Sequence, residues 1–234
     1  MSEASRNDIL ARLRGTSASA TPEQIARKLK ALGYAAPARM PSADPRTAFL
    51  ANVLANKGSA ELAADRKIAV QMVGKYLYQR FRTYKLVAGN DPRIAAMPWR
   101  DAGVLPRFGA AENGDTAALS YARLAVAETG SVVTYTGRAN PGRNNLLPED
   151  HLVLVNTEDL VVSLEDAWQR IRRDQPADHW PRGIQFIAGP SSTADVEAQL
   201  VMGAHGPRRW HVILVGDTPP QALVDAVKLA ATLT

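Results

Sequence analysis

Apolar positions recur at helical spacing through the first eighty residues and then gather into short runs. Ile9, Leu10 and Leu13 form a helical stripe closed by Gly15. A small-residue linker, Gly15 to Ala20, follows. Thr21, Pro22, Glu23 and Gln24 then spell a helix start: a capping hydroxyl, a proline at the first helical position and an acid in the first turn. Gly33 closes that helix, and Pro37, Pro41 and Pro45 keep the next stretch irregular. The pattern predicts a helix over Thr47–Asn56 and one long helix over Ala60–Tyr84, burying Leu62, Ile68, Met72, Val73, Tyr76 and Leu77.

Beyond residue 84 the pattern predicts strands at Leu86–Ala88, Ser131–Tyr135, His151–Val155, Ile184–Ala188 and His211–Val215. Val153–Val155, Ile184–Ile187 (interrupted by Gln185) and Val212–Val215 read as continuous apolar runs, as expected of strands covered on both faces. Helices are predicted between them. Leu164, Trp168 and Ile171 mark one, with acids in its first turn and arginines in its last; Asp195–Met202 and Pro220–Leu233 mark two more. This alternation predicts an α/β fold: an open, mostly parallel sheet flanked by helices, with a helical N-terminal part. Residues 1–46 read as N-terminal helices and linker, and 47–234 as the main domain.

Composition narrows the chemistry. The chain has no cysteine, which excludes disulfides and cysteine-held zinc or iron–sulfur centres within it, so redox chemistry requires a bound cofactor or a partner. No apolar run approaches the ~20 residues needed to span a bilayer. The opening MSEASRNDILARLRG has no signal-peptide core, so the expected location is the cytoplasm. Residues 1–110 carry 18 Lys/Arg against 8 Asp/Glu, whereas residues 111–234 carry 10 against 15. The first half therefore faces something acidic, or docks on acidic surface of the second half or of a partner. Its basic residues are dispersed and no nucleic-acid-binding motif accompanies them. Aromatics Tyr76, Tyr78, Phe81 and Tyr84 interleave with Lys75, Arg80, Arg82 and Lys85, which reads as a core stripe beside a solvated basic face.

Four segments could carry chemistry. In Gly189-Pro190-Ser191-Ser192-Thr193-Ala194-Asp195-Val196-Glu197, hydroxyls and free N–H groups at a strand-to-helix turn suit a phosphate or carboxylate; equally, Ser192 or Thr193 caps the helix while Asp195 and Glu197 answer its dipole. In Glu128-Thr129-Gly130, Glu128 is either a general acid or base, or a turn carboxylate bonding backbone N–H groups. His151 opens a strand after Leu146-Leu147-Pro148, and His205 sits in the tight turn Gly203–Pro207, either binding a ligand or bonding the backbone. With Glu128 or Asp195 these histidines could assemble a metal site, but no pair has the helical spacing of a zinc motif, and no metal is assigned. His179 and His211 read as structural. Finally, Arg138 and Arg143 in the Gly137–Asn145 loop could clamp an anion or belong to a surface loop, Arg143 being the better candidate for the clamp. GxSxG, Walker and GxGxxG motifs are absent.

Taken together these blocks resemble the LUD domain family of lactate-utilisation proteins. Ala127-Glu128-Thr129-Gly130, Leu146-Leu147-Pro148 with His151, Gly189-Pro190-Ser191 with Thr193–Glu197, and Gly203 with His205–Arg208 lie in the family's order and spacing across about residues 117–216. The resemblance implies a fold like that of the ribose-phosphate isomerase, glucosamine-phosphate deaminase and coenzyme A transferase superfamily. It implies a part in oxidising L-lactate to pyruvate beside iron–sulfur partners of A and B type, this cysteine-free chain being the member without clusters or other cofactor. The expected site is a small-anion pocket. Glu128 or His205 handles a proton, and Ser191, Thr193, Thr129, Gly130, His151, Gly189, Asp195, Gly206 and Arg143 contribute to binding. Two alternatives stand beside it: a free-standing isomerase or coenzyme A transferase with Glu128 as nucleophile, and a metabolite-sensing regulatory subunit. A homo-oligomer is compatible with each.

Overall fold

The computed structural model describes residues 3–16, 21–33, 39–175, 180–196 and 199–233, with side chains described for 4–13, 21–33, 39–175, 180–193 and 201–233. The chain divides into two units, residues 1–37 and 38–234. The first holds helices α1 (Glu3–Thr16) and α2 (Pro22–Ala31). Thr21 caps α2 as predicted: its hydroxyl accepts from Gln24 N, and the Gln24 side chain accepts from Thr21 N.

In the second unit the elements run α3 (Pro45–Ala55), β1 (Ser59–Ala63), α4 (Arg66–Phe81), β2 (Lys85–Ala88), α5 (Pro92–Ala95), β3 (Leu105–Phe108), β4 (Ala117–Tyr121), β5 (Leu124–Val126), β6 (Ser131–Thr136), β7 (Asp150–Asn156), β8 (Leu160–Val161), α6 (Leu164–Asp174), β9 (Gly183–Ile187), β10 (Ser192–Val196), β11 (Gln199–Met202), β12 (Arg209–Val215) and α7 (Pro220–Leu233). Six strands form an all-parallel sheet in the order β1-β12-β7-β4-β2-β3. A second, mixed sheet has the order β8-β5-β6-β9, and β10 and β11 make an antiparallel hairpin. The mostly parallel sheet with flanking helices is the fold class expected from the alternating pattern.

The period of two along β7 explains why its sequence is apolar throughout. Leu152 and Leu154 point into a core shared with Val70, Val73 and Leu77 of α4, while Val153 and Val155 point into the opposite core with Phe49 and Leu50 of α3 and Ala222 and Ala226 of α7. The second sheet continues that opposite side through Ala125 and Val132, and its outer face is covered by Ala167 and Ile171 of α6.

Three expectations are corrected. The single helix over Ala60–Tyr84 is a strand followed by a helix: Ser59–Ala63 pairs with β12, so Leu62 lies on β1, and Asp65 starts α4 by accepting from Ile68 N at 2.8 Å. The helix over Asp195–Met202 is the β10–β11 hairpin. Its base is closed by Gly203 N donating to Ser191 O at 2.7 Å and Ser191 N donating to Pro207 O at 2.9 Å, so neither Ser192 nor Thr193 caps a helix. β9, read as covered on both faces, is half-buried along its length, because it edges the smaller sheet.

Candidate functional site

Two loops that precede parallel strands meet the end of β9. The loop Gly203–Arg208 enters β12, and Leu146 to Glu149 enters β7; between them the chain leaving β9 turns at Gly189 and Ser191. Together they enclose a cavity of about 320 Å³ lined by Asn145, Leu146, Gln185, Phe186, Ile187, Gly189, Ser191, His205, Gly206 and Pro207. Four of the expected site residues, Gly189, Ser191, His205 and Gly206, are brought together by the fold in this lining. The cavity lies toward the amino ends of β7 and β12, where the second sheet packs against the first.

Close approach explains the glycines. A Cβ on Gly206 would sit 3.0 Å from Ser191 Cβ, and one on Gly189, at φ +116, would sit 2.5 Å from the carbonyl oxygen of Asn56. Ser191 Oγ accepts from His205 N at 3.3 Å, which fixes the histidine turn and leaves the hydroxyl proton to donate into the cavity. The His205 ring is exposed.

The inner wall is a buried network. His151 Nε2 lies 3.0 Å from Ser120 Oγ, and Ser120 donates to Asn145 Oδ1 at 2.7 Å. Since that hydroxyl has one proton, the matching tautomer is Nε2–H donating to Ser120. The Asn145 amide donates to Thr134 Oγ1 at 3.1 Å and to Gln185 Oε1. Gln185 Oε1 also accepts from Thr134 at 3.3 Å, and Gln185 is one of the residues of the cavity wall. His151 is a second-layer residue, not a lining one. Burial alone pushes its pKa down to about 3, so it is neutral, and its Nδ1 has no partner among the described residues.

Other candidates fall elsewhere. The Glu128 carboxylate accepts from Leu164 N at 3.0 Å and so finishes the first turn of α6. Thr129 Oγ1 pairs with Ser131 Oγ at 2.7 Å, and its carbonyl accepts from Asn56 Nδ2 at 2.9 Å. Gly130, at φ +67, lies against the backbone of α3. Thr129 and Gly189 are thus linked through Asn56, but neither Glu128 nor Gly130 lines the cavity. Arg143 is exposed and donates to Ala111 O at 3.4 Å; Arg138 is exposed too. Thr193 stands on β10 opposite Val201, beside the cavity rather than in its lining. The Asp195 side chain and the whole of Glu197 and His179 lie outside the described residues. His211 is buried, with Nδ1 2.8 Å from Ser59 Oγ and its ring stacked on Tyr76 at 4.7 Å. Among the described residues no group of three His, Asp or Glu is placed to hold a metal ion.

Asn145 and Gln185 are the functional-wall residues that sequence reading missed. The available signal was a lone amide inside the apolar run Gly183–Ile187, and an asparagine closing the arginine loop where attention went to the arginines.

The LUD domain family matches residues 113–215. Lactate utilization protein C of Exiguobacterium sp. is 32% identical over 155 residues, which cover 61% of this chain and 66% of that protein. Lactate utilization protein C 1 of Bacillus mycoides is 33% identical over 100 residues, 42% of this chain and 43% of that protein. The protein of that name from Macrococcus caseolyticus is 28% identical over 152 residues, 59% of this chain and 64% of that protein. The matched part thus spans from under half to about two thirds of these relatives. A crystal structure of a DUF162 family protein from Deinococcus radiodurans aligns with TM-score 0.48 and 18% identity, over 74% of this chain and 96% of that one. Residues 113–215 form a LUD domain, and the whole cavity lining, from Asn145 to Pro207, falls inside it.

Proposed function

We propose that this chain is a component of an L-lactate utilisation system, and that the Ser191–His205 cavity binds the small hydroxy or keto acid. The observation that carries this reading is the convergence, within the LUD domain, of three polar groups on one small cavity: the Ser191 hydroxyl, the Gln185 amide and the His205 ring. A 2-hydroxy acid offers a carboxylate for the hydroxyl and amide donors, a hydroxyl for the imidazole, and a methyl group for Leu146, Phe186 and Pro207. Supporting it are relatives named lactate utilization protein C.

Oxidation of lactate to pyruvate releases two protons and two electrons. In this reading His205 accepts the hydroxyl proton, and the Cα–H bond breaks with its hydrogen and both electrons passing to an acceptor carried by the partner proteins. The chain has no cysteine to carry an iron–sulfur cluster, so in this reading the electrons leave through iron–sulfur partner proteins. Glu128 is assigned to α6 rather than to the proton.

The test is growth of the native host on L-lactate after deletion of this chain and complementation with variants. His205→Ala and Ser191→Ala are expected to lower the growth rate at least tenfold with an unchanged melting temperature. Glu128→Gln, which keeps an oxygen for Leu164 N, is expected to grow within twofold of wild type. Normal growth of both cavity variants sinks the assignment, and a dead Glu128→Gln of native stability returns the proton to Glu128. Affinity capture from lactate-grown cells should bring down two proteins with iron–sulfur absorption; a colourless, partner-free chain overturns the shared-system reading.

A further inference from the structure

In an open parallel sheet the favoured ligand crevice lies at the carboxyl ends of the strands, where the strand order reverses. Here β2 leads outward to β3, and the chain then returns to β4, β7 and β12 on the other side, so the reversal falls between β2 and β4. Beside the carboxyl end of β4, whose last carbonyls Arg93 binds, and walled otherwise by the second sheet and α6, lies a polar cavity of about 220 Å³ that includes Arg93, Arg123, Arg170, Tyr135, Asp159 and Asp174.

The three guanidinium groups differ in what they already hold. Arg93 is saturated: it clamps Asp91 through two nitrogens and donates to the carbonyls of Tyr121 and Ala122 at the end of β4. Arg170 holds Asp174 at 2.8 Å and lies 3.8 Å from Asp159. Asp174 is also bound by Arg173 at 3.0 Å, and Asp159 accepts from Asn156 Nδ2 at 2.8 Å, so both carboxylates are committed. Arg123 is different. Among the described residues its exposed guanidinium makes no ion pair or hydrogen bond of its own; it lies 5.7 Å from the Tyr135 ring, and its charge helps Arg93 hold the Asp91 carboxyl below its ordinary range. Its backbone is nonetheless fixed, with Arg123 N donating to Val133 O at 2.8 Å. The larger cavity on the same edge, about 550 Å³ near β1 and β12, contrasts with this: its Asp65 caps α4, while Asn156 and Thr157 are bonded to Tyr121, Asp159 and Thr218.

We propose that this cavity beside the carboxyl end of β4 is a second, separate anion site, in which Arg123 binds the carboxylate or phosphate of a small anion while Arg93 and Arg170 stay paired with their carboxylates. The fork of Arg123, which has no ion pair or hydrogen bond of its own among the described residues, matches two oxygens of either group, and a single such guanidinium suits one small oxyanion. This site does not share a lining residue with the Ser191–His205 cavity.

Calorimetric titration of the full chain with inorganic phosphate, and separately with acetate, in low-chloride buffer tests it. Wild type is expected to bind at least one of them saturably, and Arg123→Gln to bind it at least tenfold more weakly at unchanged melting temperature. Lys67→Gln, an exposed α4 control, is expected to bind as wild type does. Tighter phosphate binding identifies a phosphorylated ligand, and tighter acetate binding a carboxylic acid. The site is overturned by no saturable binding of either probe, by wild-type affinity in Arg123→Gln, or by equal weakening in Lys67→Gln. Binding that vanishes in Ser191→Ala yet survives in Arg123→Gln belongs to the other cavity and also overturns it.

Discussion

His151 sits at full burial with no acid beside it, and this has a consequence for stability against pH. Its pKa is about 3 in the native state because burial penalises the imidazolium, against about 6.5 in an unfolded chain. Below pH 6.5 the unfolded chain therefore binds a proton that the native chain does not. The contribution is fully present above pH 6.5 and is lost as pH falls toward 3, at about 1.4 kcal/mol per pH unit for one proton. Urea unfolding at a series of pH values between 7.5 and 4.5 should show this slope in wild type and lack that increment in His151→Gln. Parallel curves for the two would mean that His151 is not the buried neutral group described. Residue by residue, the site was partly legible for a physical reason. Ser191, His205 and the glycines are local devices: a turn needs Gly and Pro, and a hydroxyl near a turn bonds the backbone, so sequence spacing alone places them. Asn145, in the loop before β7, and Gln185, on β9, act on each other across forty residues of sequence, and that partnership has no sequence-local trace. Glu128 was legible as a turn carboxylate bonding a backbone N–H, but which N–H depended on where α6 begins.

Elements were legible where period and punctuation agreed and illegible where they competed. β7 and β12 and helices α2, α3, α6 and α7 follow their patterns, whereas β9 is a strand as predicted but half-buried at a sheet edge. In the 60–84 stretch the helical stripe ran backward into Ser59–Ala63, whose alanines and leucine suit either state; pairing with β12 decides for strand. In 192–202 the acids and the Gly-Pro turn imitate a helix start, while Thr193, Val196 and Val201 favour strand and the closed hairpin base prevails. The short strands β4 and β5 are alanine-rich and escaped notice, although they link the two sheets. The turn after β5 shows what such packing demands. Gly130 has φ +67, and a Cβ there would lie 2.7 Å from the Asn52 carbonyl carbon and the Val53 nitrogen of α3. Gly130→Ala must therefore strain its own backbone and push on a buried helix, and a loss of about 2 kcal/mol or more is expected in urea unfolding. Gly137→Ala, with nothing within 4 Å of the new methyl, is expected to be within about 0.5 kcal/mol of wild type. Equal effects at the two positions would contradict the close approach of the Glu128–Gly130 turn to α3.

At the scale of the whole molecule, the core and both cavities belong to one unit. Among the described residues every buried hydrophobic side chain lies between Ala48 and Ala230, and α2 buries none of its own residues. The described residues of the first unit thus bury no hydrophobic side chain, although residues 1–37 carry part of the positive charge that makes the first half of the chain basic. Hydrophobic burial is the dominant stabilising term, so the unfolding midpoint should be set by residues 38–234. A chain beginning at Ala38 is expected to unfold in one cooperative step with a midpoint within about 3 °C of the full chain, a shift equivalent to less than about 1 kcal/mol for a domain of this size. It should also retain the anion titration that depends on Arg123, because Arg93, Arg123 and Arg170 and their carboxylates all lie in the retained unit. Differential scanning calorimetry of the two chains, followed by the same titration, makes the comparison. A midpoint lowered by 10 °C or a broadened transition would mean that the two N-terminal helices stabilise the sheet unit. An intact midpoint with lost growth on L-lactate would instead assign the basic N-terminal unit to docking rather than to folding.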